Sequence, residues 1–252
     1  MTDHQQLTIP RRALPYVVLQ RLETQQLGAN IHYTPFGKLA YAIYERVPFA
    51  KKLFYYYSTR LEPFLRSAPI RAAYSSTMQR EFATIEPYLQ PEAQRIVGIG
   101  PGVAGLEILI SKYYRERFDA APEFILIDKS QIDEVYYGFH EQAAAYNSLH
   151  VAREGLVLNG HPDDRIRTLD ADGVTAEEVG KVDLITSLIA WGFHFPVSTY
   201  LPLALEALNP GGQLIIDVRK DTGGYEELEA AFGKLTVILD DPKFQRVLAT
   251  KV

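Results

Sequence analysis

The chain has 252 residues, 47% of them hydrophobic and 23% charged, with a net charge of −5 and no cysteine. This is enough apolar residue for one large soluble core, and the acidic balance without a long basic run favours a small-molecule partner over nucleic acid or an anionic membrane surface. The absence of cysteine excludes disulfides, thiolate catalysis and Cys-ligated metal centres; with a polar start and no membrane-spanning apolar run, a cytoplasmic protein is the expectation.

Residues 1 to 90 differ from the rest. Leu14 to Leu27 and Gly37 to Tyr44 carry apolar residues at helical spacing, and Pro15, Pro35, Pro48, Pro63, Pro69 and Pro87 punctuate the segment, so the pattern predicts short helices joined by proline turns. Aromatic side chains are dense here, Tyr33, Phe36, Tyr41 and Tyr44 among them. Most are expected in the core, and a minority, with Tyr33 proposed as one, at a ligand mouth.

From Arg95 the pattern becomes strand, helix, strand, helix. Arg95 to Ile99 is an apolar run leading into Gly100-Pro101-Gly102-Val103-Ala104-Gly105 and then a helical stretch to Arg117. A glycine turn between a buried strand and a helix lets the backbone approach a ligand and presents the unpaired N–H groups of the helix start. It also fits a dinucleotide pattern, and a turn that binds nothing has the same appearance. Further strands are predicted over 123–128, 165–170, 182–187 and 213–217, with helices over 132–146, 147–158, 198–208 and 225–232. Leu235 to Leu239 and Phe244 to Ala249, separated by Asp240-Asp241-Pro242, read as two antiparallel strands. The fold class expected is therefore α/β: a doubly wound, seven-stranded, mostly parallel sheet with an antiparallel final hairpin, plus an N-terminal helical cap over residues 1–90. Ligands bind such sheets at the carboxyl ends of the strands.

Val97-Gly98-Ile99-Gly100-Pro101-Gly102, the strand-end acid of Leu126-Ile127-Asp128, Asp170-Ala171-Asp172, Val182-Asp183-Leu184-Ile185 and Leu208-Asn209-Pro210-Gly211-Gly212 occur in the order seen in class I S-adenosylmethionine-dependent methyltransferases, and residues 92 to 252 resemble that family. The resemblance implies S-adenosylmethionine as cofactor. Gly98, Gly100 and Gly102 would pass close to its methionine part and ribose, Asp128 with Lys129 beside it would take the ribose hydroxyls, Asp170, Ala171 and Asp172 the adenine, and Ser187 and Leu188 would complete the cofactor site. The chain departs from the family at Gly98, where an acid is common, so one expected anchor for the methionine amino group is missing.

The stretch Ser187 to Pro196 is expected to be a loop facing the acceptor, with Trp191, Phe193 and His194, together with Tyr137 and Tyr33, as substrate-binding residues. His194 is the candidate general base, in competition with His32, His140, His150 and Tyr137. The activity expected is methyl transfer to oxygen or nitrogen of a small-molecule acceptor by in-line displacement, without metal, nucleic acid or membrane, and with a homodimer as one possibility. A nicotinamide-dependent oxidoreductase, motivated by Gly100 to Gly105, and an aminopropyl-transferring or non-catalytic binder of S-adenosylmethionine are the alternatives.

Overall fold

The computed structural model describes residues 7–20, 60–129 and 147–252. The helices expected over 37–44 and 132–146 lie outside them. Eight strands are found among these residues: β1 (Arg95–Ile99), β2 (Glu123–Asp128), β3 (Ile166–Asp170), β4 (Val182–Ser187), β5 (Ala190–Phe195), β6 (Leu208–Arg219), β7 (Leu235–Asp240) and β8 (Phe244–Thr250). The helices are α1 (Leu14–Gln20), α2 (Glu62–Leu65), α3 (Ser67–Ile85), α4 (Gly105–Phe118), α5 (Leu149–Leu158), α6 (Ala176–Val179), α7 (Leu201–Ala207) and α8 (Gly224–Phe232).

Seven strands form one sheet in the order β3-β2-β1-β4-β6-β8-β7. β1 to β4 and β6 run parallel, while β8 is antiparallel to both β6 and β7. This is the expected doubly wound, mostly parallel sheet with an antiparallel final hairpin. Strand order reverses between β1 and β4, which opens a crevice above their carboxyl ends, where open α/β sheets take ligands.

Alternation along the central strands divides the interior in two. Ile96, Phe124, Leu126, Leu184 and Ile215 face one buried cluster with α4; Val97, Ile99, Ile125, Ile127, Ile185 and Ile216 face the other with α7 and α8. The described N-terminal residues do not build a separate core. Leu7, Ile9, Leu14 and Val18, with Ile70, Tyr74, Met78, Phe82 and Ile85 of α3, join the cluster on the α4 face.

Local departures from expectation have local causes. The Asn209-Pro210-Gly211-Gly212 turn is drawn into a longer β6 because Gly211 N–H donates to Lys251 O (2.8 Å) and Lys251 N–H to Gly212 O (2.9 Å). The expected helix over 198–208 shortens to α7, with Pro202 in its first turn, where proline removes no helical bond. The short α6, absent from the sequence reading, is nucleated by a capping box in which Thr175 and Glu178 satisfy each other's backbone N–H groups. Instead of a loop, 190–195 is the strand β5, which lies against β6: a Cβ on Gly192 (φ +85) would meet Asp217 O at 2.7 Å.

One buried ion pair ties these parts together. Arg246 of β8, fully buried, donates to both oxygens of Asp217 on β6 (2.7 and 2.9 Å), to Glu81 Oε2 (2.6 Å) and to Thr84 Oγ1 (2.5 Å) on α3. Asp217 Oδ2 also accepts from the amide of Ile189 (3.2 Å), a β-branched residue held at φ +55. Removing one partner of such a pair strands a buried charge. Arg246→Met is therefore expected to lower unfolding free energy by about 3–5 kcal/mol in guanidinium titration, and adding Asp217→Leu should recover a large part of that loss.

Candidate active site

The turn after β1 depends on left-handed backbone: Gly100 has φ +68, Gly102 φ +61, and Ala104, the residue before α4, φ 59. Space is as restrictive as conformation at Gly100, where a Cβ would stand 2.4 Å from Ala190 Cβ at the start of β5. The turn and the β4–β5 connection therefore touch across the crevice.

Asp128, at the carboxyl end of β2, closes the turn from the other side. Its Oδ2 accepts from Gly102 N–H (3.3 Å) and Asn147 Nδ2 (2.7 Å), and its Oδ1 from Lys129 N–H (2.7 Å). Burial pushes its carboxyl up to about 6, against the pull of those three donors. The next strand end is bonded to this one: Ala171 N–H donates to Asp128 O (3.1 Å), Lys129 Nζ pairs with Asp172 Oδ1 (2.6 Å), and Asp172 N–H donates to Asp170 Oδ1 (2.9 Å). Gly98, Gly100, Gly102, Asp128, Lys129, Asp170, Ala171 and Asp172 thus gather along one edge.

At the end of β4, Ser187 is buried and its hydroxyl is engaged, donating to Ile99 O (2.9 Å) and accepting from Trp191 N–H (3.0 Å). Leu188 packs against the α4-side core. Trp191, expected at the acceptor, is fully buried, with its indole N–H on Val197 O (2.8 Å) and its ring edge-on to Tyr200 (5.9 Å). In this position it holds β5 to the body of the fold. Phe193 stacks edge-on with His194 (5.0 Å) and Phe244 (6.0 Å). His194 is half-buried; burial first, and then Arg219, lower its pKa. Arg219 also lines a cleft of about 320 Å³ with Lys220, Tyr225 and Gln245. From Ala190 to His194 the strand advances roughly 13 Å, so His194 and the glycine turn occupy opposite ends of β5. His150 is exposed on α5, and Tyr33, His32, Tyr137 and His140 fall outside the described residues.

Two groups at this edge went unnoticed in the sequence. Tyr200, just before α7, is half-buried; burial first, and then the charges of Asp128, Asp172 and Asp170, raise its pKa, so its hydroxyl lies within electrostatic reach of those acids. Glu107, in the first turn of α4, is 2% exposed and its Oε2 has no hydrogen-bond partner. Burial, with a further push from Asp128, raises its carboxyl to about 8. Glutamate in a first turn ordinarily signals dipole compensation on a solvated face, so nothing in the string separates this one. Among the described residues no group of three or more His, Asp or Glu could hold a metal, and no helix is long and apolar enough to cross a membrane.

No protein-family model matches the sequence, and no curated protein matches it. Solved structures do resemble the fold. A candidate O-methyltransferase from Nostoc punctiforme PCC 73102 is 16% identical with a TM-score of 0.48, over 75% of this chain and 61% of that one. A T. thermophilus 16S rRNA methyltransferase in complex with AdoMet and guanosine is 14% identical with a TM-score of 0.48, over 69% and 43%. A Pyrococcus furiosus methyltransferase is 15% identical with a TM-score of 0.48, over 70% and 84%. The match thus spans less than two thirds of the first two proteins, and the likeness is one of fold.

The buried carboxyl of Glu107 makes a prediction of definite sign. Its folded pKa, about 8, lies above the ordinary 4.5, so the native state binds more protons between those values and stability falls as pH rises through that window. Calorimetry of the ligand-free protein should show a Tm that drops from pH about 6 to about 9, with a smaller drop in Glu107→Gln. Parallel pH profiles for the two proteins would contradict a buried, titrating Glu107.

Proposed function

We propose that the chain is an S-adenosylmethionine-dependent methyltransferase acting on oxygen or nitrogen of a small-molecule acceptor. The observation that carries this reading is the meeting of the Asp128 carboxylate with the glycine turn at the strand-reversal crevice (Gly102 N to Oδ2, 3.3 Å). A carboxylate has about four lone-pair positions, and three protein donors leave one open to a ribose hydroxyl, with a second available if the Asn147 carboxamide yields its place. Asp128 would take the ribose hydroxyls, with Lys129 held beside it by Asp172. Asp170, Ala171 and Asp172 would flank the adenine, and the backbone at Gly98, Gly100 and Gly102, with Ser187 and Leu188 opposite, would follow the methionine tail.

The sign of the charge supports this ligand over a dinucleotide. Glu107, Asp128, Asp170 and Asp172 surround the turn, Lys129 is already paired with Asp172, and the amide of Gly105 donates to Tyr74 Oη (3.1 Å) instead of facing the crevice. The negative charge of Asp128, Asp170 and Asp172 beside the turn disfavours a pyrophosphate, whereas a sulfonium is cationic.

When bound, S-adenosylmethionine supplies a methyl group already activated for displacement. The protein's part is alignment, exclusion of water and removal of a proton. His194, whose charged form is disfavoured by burial, would accept that proton from an acceptor hydroxyl or amine. Phe193, with Tyr33 and Tyr137, would contact the acceptor, and residues 1–90 would form its cap; Tyr74 already links α3 to the start of α4. The net charge of −5 argues for a small acceptor over RNA.

Calorimetric titration with S-adenosylmethionine and with NAD decides between the readings; binding of NAD alone would overturn this one. Asp128→Ala should cost about 2–3 kcal/mol of cofactor affinity with the fold retained, as for hydrogen bonds to a charged group. His194→Ala should lower turnover and leave cofactor binding unchanged. Release of methylthioadenosine in place of S-adenosylhomocysteine would mark aminopropyl transfer instead.

A further inference from the structure

Gly98 and Glu107 share one small volume. A Cβ built on Gly98 would lie 2.5 Å from Glu107 Oε1, 3.2 Å from its Cδ and 3.3 Å from its Cγ, and these are its three nearest neighbours. Gly98 therefore leaves an opening in the wall of β1 that the Glu107 side chain enters from α4. The carboxyl that fills it is almost fully buried, and one of its oxygens meets no donor. A buried acceptor without a partner costs about 1–3 kcal/mol, and more once charged, so a native fold keeps one for a reason. Among the described residues, the groups whose charge reaches Glu107 are Tyr74 of α3 and Asp128 of β2. Neither is a cation.

Resting on the methyltransferase reading above, we infer that Glu107 is the anchor for the α-ammonium group of S-adenosylmethionine, with its unpartnered oxygen as the acceptor and Gly98 as the gap that admits its carboxyl. The ligand carries one primary ammonium at the end of its tail, with three donors to offer. Glu107 lies at the turn along which that tail would run, on the α4 face. The carboxylate comes from helix α4 because β1 presents no side chain at Gly98. The ammonium would favour the ionised carboxyl, so a proton leaves Glu107 as the ligand enters, for the solvent.

The test uses the full chain and three variants: Glu107→Gln, Glu107→Ala, and the exchange Gly98→Asp with Glu107→Ala, which returns a carboxylate to the same volume from the opposite wall. Calorimetry with S-adenosylmethionine should show affinity lowered about 10- to 100-fold in both single variants, the range for one charge-assisted hydrogen bond. The exchange should restore most of it. Methylthioadenosine, which keeps the adenosine and the sulfur but lacks the amino-acid tail, should bind all four proteins alike. Titrations in buffers of different ionisation enthalpy should report proton release on S-adenosylmethionine binding in the wild type, and less in Glu107→Gln. A merely structural Glu107 would weaken both ligands together. Equal losses for the two ligands, or unchanged S-adenosylmethionine affinity in Glu107→Gln, overturn the inference while leaving the cofactor assignment intact. Failure of the wild type to bind S-adenosylmethionine overturns both.

Discussion

Three carboxyl groups, Glu107 and Asp217 buried and Asp128 partly so, lie near the carboxyl edge of the sheet, and the way each is compensated organises the molecule. A carboxylate taken out of water costs several kcal/mol unless donors or a cation offset it. Asp217 has a cation, Arg246, with both oxygens engaged. Asp128 has none, and relies on two amides and the Asn147 carboxamide. Glu107 has an oxygen with nothing. Compensation therefore declines from the β6 side of the sheet towards the crevice, and the least satisfied groups stand where a ligand would enter.

The fully compensated pair gives the others their setting. Arg246 joins β8, β6 and α3, so residues distant in sequence, Glu81 and Thr84 before the sheet begins and Asp217 near its end, converge on one guanidinium. Asp217 in turn holds the amide of Ile189, which keeps an unfavourable φ for a β-branched residue and sends β5 back against β6. Ala190 then reaches Gly100, so the position of β5 and the shape of the glycine turn are set against each other. The buried pair is thus connected through a chain of contacts to both sides of the crevice, although Arg246 itself lies outside it.

Most of the sheet was legible because its signals are local. Apolar runs such as Phe124 to Ile127 can only be buried on both faces, the acids and glycines at their ends mark where each strand stops, and the Asp240-Asp241-Pro242 turn announces a hairpin. What escaped depends on partners remote in the chain. β5 was read as a loop because Trp191, Gly192 and His194 do not alternate as a strand does; its conformation comes from Asp217 and Ser187. Trp191 drew attention as a lone tryptophan in an acceptor loop, yet its indole is hydrogen-bonded within the core. Gly98 was visible as a missing acid, whereas Glu107 went unnoticed, having nothing to separate it from an ordinary first-turn acid. That they occupy one volume follows only from the packing of α4 on β1.

That packing also bears on which ligand the turn can accept. A glycine-rich strand-to-helix corner is usually an anion site, because unpaired N–H groups and the helix dipole both favour negative charge. Here two of those N–H groups are already engaged. The Gly105 amide is taken by the Tyr74 hydroxyl, the Gly102 amide by Asp128, and Glu107 places a carboxyl inside the first turn. A pyrophosphate would enter against Asp128 and find two of its natural donors occupied. A ligand with a diol and cationic groups meets the opposite situation, since each negative group it approaches is one that burial has left short of donors. The same glycine spacing can therefore serve either chemistry, and the acids beneath and beside it favour the cation.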